Sequence, residues 1–119
     1  MQVKVNTGNG VDNKDSLERW ATDFLNDSLS RFAGDITRVE VQLTDESRAR
    51  QNGADMRCML EARMAGREPI AVNHHGANQD EAVRGATQRL VHALDHTFGK
   101  LDRQHRARDT IRRATDAPE

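Results

Sequence analysis

The chain has few of the residues that mark secreted or membrane-spanning proteins. Cys58 is its only cysteine, so no intramolecular disulfide can form, and an unpaired thiol fits a reducing compartment. No apolar run approaches the roughly 18 residues that a membrane span needs, and the first ten residues lack the apolar stretch of a signal peptide. We therefore expect a soluble, cytoplasmic protein with no membrane partner.

Aromatic residues are also scarce. Tyrosine is absent, and the aromatic residues are one tryptophan and three phenylalanines. All four fall on or near the apolar faces of predicted helices. Recognition of nucleic acid by stacking of bases on aromatic rings is therefore not expected, and any contact with nucleic acid should be made mainly to phosphates and shape.

The charge is nearly balanced but unevenly distributed. The 119 residues include 18 Lys and Arg and 19 Asp and Glu, a net charge of −1 that does not indicate a nucleic-acid partner. Residues 11–46 contain nine acidic and four basic residues, whereas residues 80–113 contain five acidic and eight basic ones. The N-terminal part of the chain is therefore mainly acidic and the C-terminal part mainly basic.

Alternating apolar residues predict four short strands. A period of two gives a strand one buried and one solvent-facing side. The pattern occurs around Val3 and Val5, at Val39 to Leu43, at Met56 to Met64 and at Ile70 to His74. The polar residues 45–53 then form a hairpin loop, and residues 65–67 a tight turn.

Apolar residues at helical spacing predict two helices. For the first helix, Gly34 is expected at the end and Asp12, Asn13 or Asp15 as the N-cap. Its apolar residues are Leu17, Trp20, Ala21, Phe24 and Phe32. The second helix starts after a cap at Asn78 or Asp80. Its apolar stripe consists of Val83, Ala86, Leu90, Ala93, Leu94, Thr97, Phe98 and Leu101.

The order of these elements predicts an α+β fold of the type β-α-β-β-β-α. Successive strands joined by short turns favour a mainly antiparallel four-stranded sheet, with both amphipathic helices packed on one face. The length suits a single domain, which we place at residues 1–106. Residues 107–119 offer little to bury and are predicted to form a polar, disordered tail.

One face of the second helix is basic. On a helical wheel its members fall within an arc of about 80°, opposite the apolar stripe. They are Arg89, His92, His96, Lys100 and Arg103. Cations spaced along a helix can follow a phosphate backbone, although a charged outer face is also what an ordinary solvated helix has.

No residue set indicates catalysis. The serines lack a motif that would mark a nucleophile, and Cys58 alternates into the predicted core, where a thiol is usually inert. His92 and His96 are four residues apart and could reach one metal ion, but only Asp95 lies near enough in sequence to add a ligand. Because zinc sites need three or four ligands, we predict no metal site and no cofactor.

Two adjacent histidines lie at the end of the last predicted strand. The alternation directs His74 towards the core face and His75 away from it. Such residues are usually structural, and the alternatives are a contact with RNA or a pH-sensitive switch.

The segment Ile70-Ala71-Val72-Asn73-His74-His75-Gly76, followed by Asp80 and by Ala82-Val83-Arg84-Gly85-Ala86, resembles the ribosome hibernation-promoting factor family. That family includes the ribosome-associated inhibitor also called sigma-54 modulation protein. The resemblance covers roughly residues 1–106. Positions where relatives commonly carry Lys, Leu, Arg, Leu and Lys are occupied here by Arg89, Leu90, His92, Leu94 and His96.

The resemblance implies a fold like that of a double-stranded-RNA-binding domain and a function without chemistry. Family members dock on the small ribosomal subunit where messenger and transfer RNA would bind, which blocks initiation and preserves idle ribosomes under stress. We therefore expect a non-enzymatic translation regulator that has no small-molecule substrate. Its expected RNA contacts are Arg89, His92, His96, Lys100 and Arg103, with Arg84, Arg106 and His75 as secondary candidates.

The sequence also departs from the family pattern. Relatives often carry lysines on the exposed face of the first helix, where this chain has Asp23, Asn26 and Asp27. This acidic helix supports an alternative, a divergent domain of the same fold that binds a protein partner and regulates it. Histidines at two basic positions imply an affinity that is weaker or that rises with acidity. Long members carry a C-terminal dimerisation domain that this chain lacks, so unaided pairing of ribosomes is not expected.

Overall fold

The predicted order of elements is confirmed in the computed structural model, which describes residues 1–8, 11, 13–46 and 55–116, with side chains as far as residue 99. A short 3-10 helix, Ser30–Phe32, follows the first helix. The main elements are β1 (Gln2–Thr7), α1 (Lys14–Ser28), β2 (Ile36–Asp45), β3 (Met56–Met64), β4 (Ile70–Gly76) and α2 (Gln79–Asp116).

The four strands form one mixed sheet in the order β1-β2-β3-β4. β2, β3 and β4 are antiparallel neighbours, whereas β1 pairs with β2 in parallel, with Val5 opposite Val41. The parallel pair arises because α1 carries the chain back across the sheet between β1 and β2. The turn between β3 and β4 contains Gly66 at φ 73°, a left-handed conformation that glycine adopts without steric cost. The predicted β2–β3 loop lies, over residues 47–53, outside the described residues.

The predicted alternation of the central strands is confirmed. Val39, Val41 and Leu43 of β2 and the even-numbered residues of β3 point to one face of the sheet and are buried under the helices. The helices add α1 residues Leu17, Ala21 and Leu25, and α2 residues Ala82, Val83, Ala86, Leu90 and Leu94. The opposite face of the sheet is polar and open.

Cys58 lies in this core, as its alternation in β3 predicts. The side chain is fully buried, and burial raises the pKa of its thiol from 9.0 to about 12. The thiol is therefore protonated at neutral pH and is a poor nucleophile.

The prediction of the end of α1 is wrong. The helix ends at Ser28, and Phe32 belongs to the separate 3-10 helix, before Gly34 is reached. The Leu29 N–H still makes an α-helical bond to the Leu25 carbonyl at 2.9 Å, and the next turn then tightens, with the Phe32 N–H donating to the Leu29 carbonyl at 2.9 Å. Phe32 still reaches the core, which is why its spacing in the sequence resembled a continuous helix.

The predicted cap of α1 is not confirmed either. Asn13 occupies the N-cap position at φ 58° and makes no side-chain hydrogen bond to the helix, while Asp15 lies inside the first turn. The left-handed backbone of Asn13 does not have the extended conformation from which a side chain usually caps. Asp12 lies outside the described residues.

The prediction of Asn78 as a cap of α2 is confirmed. Its Oδ1 accepts a hydrogen bond from the Glu81 N–H at 2.8 Å, and the Glu81 carboxylate accepts one from the Ala77 N–H at 3.1 Å. This reciprocal arrangement satisfies N–H groups that would otherwise lack partners at the start of the helix. α2 continues along its backbone to Asp116. The prediction of a domain over 1–106 with a polar tail stays a prediction.

Across the described part of the chain, no helix combines the length and apolar character needed to span a membrane.

Candidate nucleic-acid interface on the second helix

The exposed face of α2 carries the basic residues predicted from the helical wheel. Arg89, His92 and His96 are exposed, whereas Leu90 and Leu94 on the opposite side are fully buried. Among the described residues, none of the three basic side chains forms a salt bridge or a side-chain hydrogen bond. We call this surface of Arg89, His92 and His96 the α2 basic face. The Arg89 guanidinium and the two imidazoles can therefore contact an external anion.

Three further candidates lie on the same helix beyond its described side chains. Lys100, Arg103 and Arg106 fall within the backbone range of α2. Their side chains lie outside the described residues, so their part in the site stays a prediction.

His74 lies beside the α2 basic face, although its place in the sequence favoured a structural role over a contact with RNA. It points to the helix side of β4, as predicted, and its ring lies directly against Gly85 of α2. With Gly85, Gln88, Arg89 and His92, it lines an open cleft of about 450 Å³ beside the α2 basic face. The signal in the sequence was Gly85, because a glycine inside a helix weakens it and usually marks a close contact.

Arg84 lies on a different side of α2 from Arg89, facing α1. Its Nε donates to Asp80 Oδ1 at 2.8 Å, and its guanidinium lies 4.9 Å from the centroid of the Phe24 ring and 5.6 Å from that of Trp20. Part of its charge is therefore offset within the domain. The structure does not bring it together with Arg89 as one basic stripe.

His75 is separated from the other candidates by the sheet. Its Nδ1 lies 3.1 Å from Asp55 Oδ1 and 3.8 Å from Glu46 Oε2, on the open face of the sheet. These two carboxylates would repel a phosphate group. The surroundings of His75 therefore do not resemble those of the α2 basic face.

Among the described residues, the three side chains that meet at His75 form the group whose geometry could hold a metal ion. The ligand atoms of Glu46, Asp55 and His75 lie within 4.8 Å of one another. Sequence reasoning considered the His92 and His96 pair instead. Asp95, the third ligand considered there, accepts a bond of 2.6 Å from Arg31.

Other charges on the open face of the sheet largely neutralise one another. Arg63 contacts Glu61 at 2.8 Å, and Arg57 contacts Glu46 at 3.7 Å. Arg38 contacts Glu40 at 3.0 Å. This face offers an external anion fewer uncompensated cations than α2 does.

The acidic character of α1 is confirmed at its surface. Asp15, Glu18, Asp23 and Asp27 are all exposed, and Arg19 and Lys14 are the exposed basic residues of that helix. The exposed surface of α1 is therefore mainly acidic. A groove of about 560 Å³ lies between α1 and α2. Its lining residues are Phe24, Ser28, Arg84, Thr87, Gln88, Val91 and His92.

A four-stranded sheet with two helices on one face defines the fold class, and two solved structures share it. A scan of protein-family models and a search of curated proteins give no match. Among solved structures, a ribosomal subunit interface protein from Coxiella burnetii matches with a TM-score of 0.62 and 14% identity, over 83% of this chain and 99% of that one. The N-terminal domain of Protein Y from Thermus thermophilus matches with a TM-score of 0.57 and 18% identity, over 82% and 99%.

At these identities the likeness shows a common fold. The resemblance identified from the sequence is therefore confirmed at the level of the fold, over most of the chain.

Proposed function

We propose that this protein is a divergent hibernation-type factor that binds the small ribosomal subunit through the α2 basic face and regulates translation by occupying the channel for messenger and transfer RNA. The observation that carries the proposal is the exposure of Arg89, His92 and His96 without partners among the described residues. The proposal extends to Lys100, Arg103 and Arg106 because they continue along the same helix.

The fold supports the proposal because the protein from Coxiella burnetii is described as a ribosomal subunit interface protein. In this proposal the factor acts in the cytoplasm, by occupancy and without catalysis, and so preserves idle ribosomes. Cationic side chains release condensed counterions when they contact phosphates, which gives affinity without a specific pocket. An exposed helical face suits this kind of contact with ribosomal RNA.

Co-sedimentation of the full chain with isolated small subunits tests the proposal. Retention is expected at low salt and should fall steeply as salt is added. Arg89→Gln should weaken retention. Arg63→Gln is the matched control, because it removes an equal charge from the open face of the sheet, where Arg63 is exposed and paired with Glu61. Equal binding by both variants would overturn the assignment to α2, and no retention of the wild-type protein at low salt would overturn the proposal.

A second candidate function is a protein-binding regulatory module, which is favoured by the acidic surface of α1. Asp23 and Asp27 are exposed there and would repel phosphate. In this case the partner would be a basic protein surface. Replacement of both aspartates by asparagine would then abolish the interaction, whereas the leading proposal predicts unchanged or tighter binding to small subunits.

A further inference from the structure

We propose that the guanidinium of Arg84 is a stacking platform for one unpaired nucleobase, which enters the groove between α1 and α2. The inference rests on the proposed function and specifies how the α2 region would contact RNA beyond its phosphates. It reverses the expectation, drawn from the scarcity of aromatic residues, that stacking contributes little.

The platform begins with two aromatic rings on α1. Trp20 and Phe24 are one helical turn apart, and their rings stack with centroids 5.3 Å apart at an angle of 16°. Both side chains are only partly buried, although they pack against the core. The guanidinium of Arg84 lies over this pair, nearer to Phe24 than to Trp20. A planar cation on aromatic faces is a favourable arrangement that arginine makes better than lysine.

Asp80 fixes the position of this cation. It lies one helical turn before Arg84 on α2 and accepts the Nε–H at 2.8 Å, so the guanidinium is held by a charged hydrogen bond as well as by its contacts with the two rings. The Arg84 side chain is nevertheless 53% exposed. A group already ordered in this way loses less conformational entropy on binding than a free surface arginine would.

The groove beside Arg84 has the chemistry of a site for a planar, polar-edged ligand. Phe24 and Val91 supply apolar surface, while the Ser28 hydroxyl and the Gln88 amide can each donate and accept hydrogen bonds. A nucleobase has two apolar faces and an edge of donors and acceptors, and unpaired bases are commonly bound by stacking on arginine planes. The groove volume of about 560 Å³ accommodates one base.

The charges around the groove set the direction from which RNA would approach. His92 lines the α2 wall and Arg89 lies beyond it, whereas Asp23 and Asp27 are exposed on α1. Phosphates would therefore follow α2, and the base would point inward towards Arg84. A base within a duplex is already stacked and paired, so the site requires an unpaired one. An apolar protein side chain could fill the groove, but it would make no use of the ordered planar cation.

Chemical probing of small-subunit complexes tests this inference. Base-specific reagents report protection of unpaired bases, and backbone cleavage by hydroxyl radicals reports contacts along the chain of phosphates. The wild-type complex should protect at least one unpaired base. Arg84→Gln and Arg84→Lys should both lose that protection and weaken binding about tenfold, while backbone protections persist at saturating protein. Lysine should not replace arginine at this position, because its ammonium group keeps the charge but has no planar face on which a base can stack.

Arg89→Gln is the matched control, since it should weaken binding while the base protection survives at saturation. Circular dichroism of each variant verifies that it is folded. Unchanged base protection by Arg84→Gln would overturn the inference, as would a crosslink from the groove to a ribosomal protein. Backbone protection without any base protection sinks only this inference, whereas failure of the wild-type protein to bind subunits overturns the proposed function as well.

Discussion

The ring of His74 on β4 lies so close to the backbone of Gly85 on α2 that a Cβ atom at residue 85 would overlap the imidazole. Glycine at this helical position gives up intrinsic helix stability of about 1 kcal/mol relative to alanine. The contact explains that cost, because it lets the edge strand approach the helix and places His74 beside Arg89 and His92.

Gly85→Ala should therefore destabilise the domain even though alanine is the better helix former. We expect a loss of about 1 to 3 kcal/mol in the free energy of unfolding, because the ring or the helix must move. Urea denaturation measures it. When His74 is already replaced by alanine, Gly85→Ala should cost much less stability than it does in the wild-type protein. If the two effects are additive, the contact does not control the stability of the helix.

A second glycine, Gly76, lies where the chain passes from β4 into α2 and packs closely against the backbone of the helix. A Cβ at Gly76 would lie 2.6 Å from the backbone nitrogen of Ala82, which cannot move without shifting the start of the helix. Gly76→Ala should destabilise the domain by roughly 2 kcal/mol or more. Gly99→Ala is the matched control, since nothing lies within 4 Å of its Cβ position and the change should be neutral or stabilising. Equal melting temperatures for the two variants would contradict the proposed junction.

These glycines also show what the sequence could and could not reveal. Val39, Val41 and Leu43 were placed in the core from their alternation alone, since the period of a strand is a local property. The contact between His74 and Gly85 depends on where α2 crosses the edge strand, and no local pattern records that. The close approach was visible only as an unexplained glycine in a helix.

The same distinction applies to the candidate site. The exposure of Arg89, His92 and His96 follows from helical periodicity, so it could be predicted. The separation of His75 from them also follows from the alternation of β4, because His75 faces away from the side of the sheet on which the helices pack. Its contact with Asp55 could not be predicted, because it depends on where the chain before β3 lies beside β4. Arg84 was a secondary candidate for contact with RNA, and only the position of α1 shows that its guanidinium lies over the Phe24 ring.

Burial of Cys58 predicts a specific loss of stability at alkaline pH. The thiol pKa rises from 9.0 to about 12 in the folded state, so above pH 9 the unfolded chain releases a proton that the folded chain retains. The stabilisation is complete below pH 9 and is lost as the pH rises towards 12, with a slope of about 1.4 kcal/mol per pH unit.

Cys58→Ala removes this dependence while it lowers stability at every pH through lost packing. Between pH 9 and 10.5 the wild-type protein should therefore lose about 1 to 2 kcal/mol more than the variant does. Denaturant titrations of both proteins at each pH measure the difference. Parallel curves would show that the thiol is not buried in the folded state.

The central claim is that α2 binds the phosphates of ribosomal RNA, and the salt dependence of binding to isolated small subunits tests it most directly. If α2 binds these phosphates, the logarithm of the binding constant should fall linearly with the logarithm of salt concentration, with a slope reduced by about one in Arg89→Gln and unchanged in Arg63→Gln. A wild-type binding constant that does not change with salt, or no binding at low salt, would contradict it.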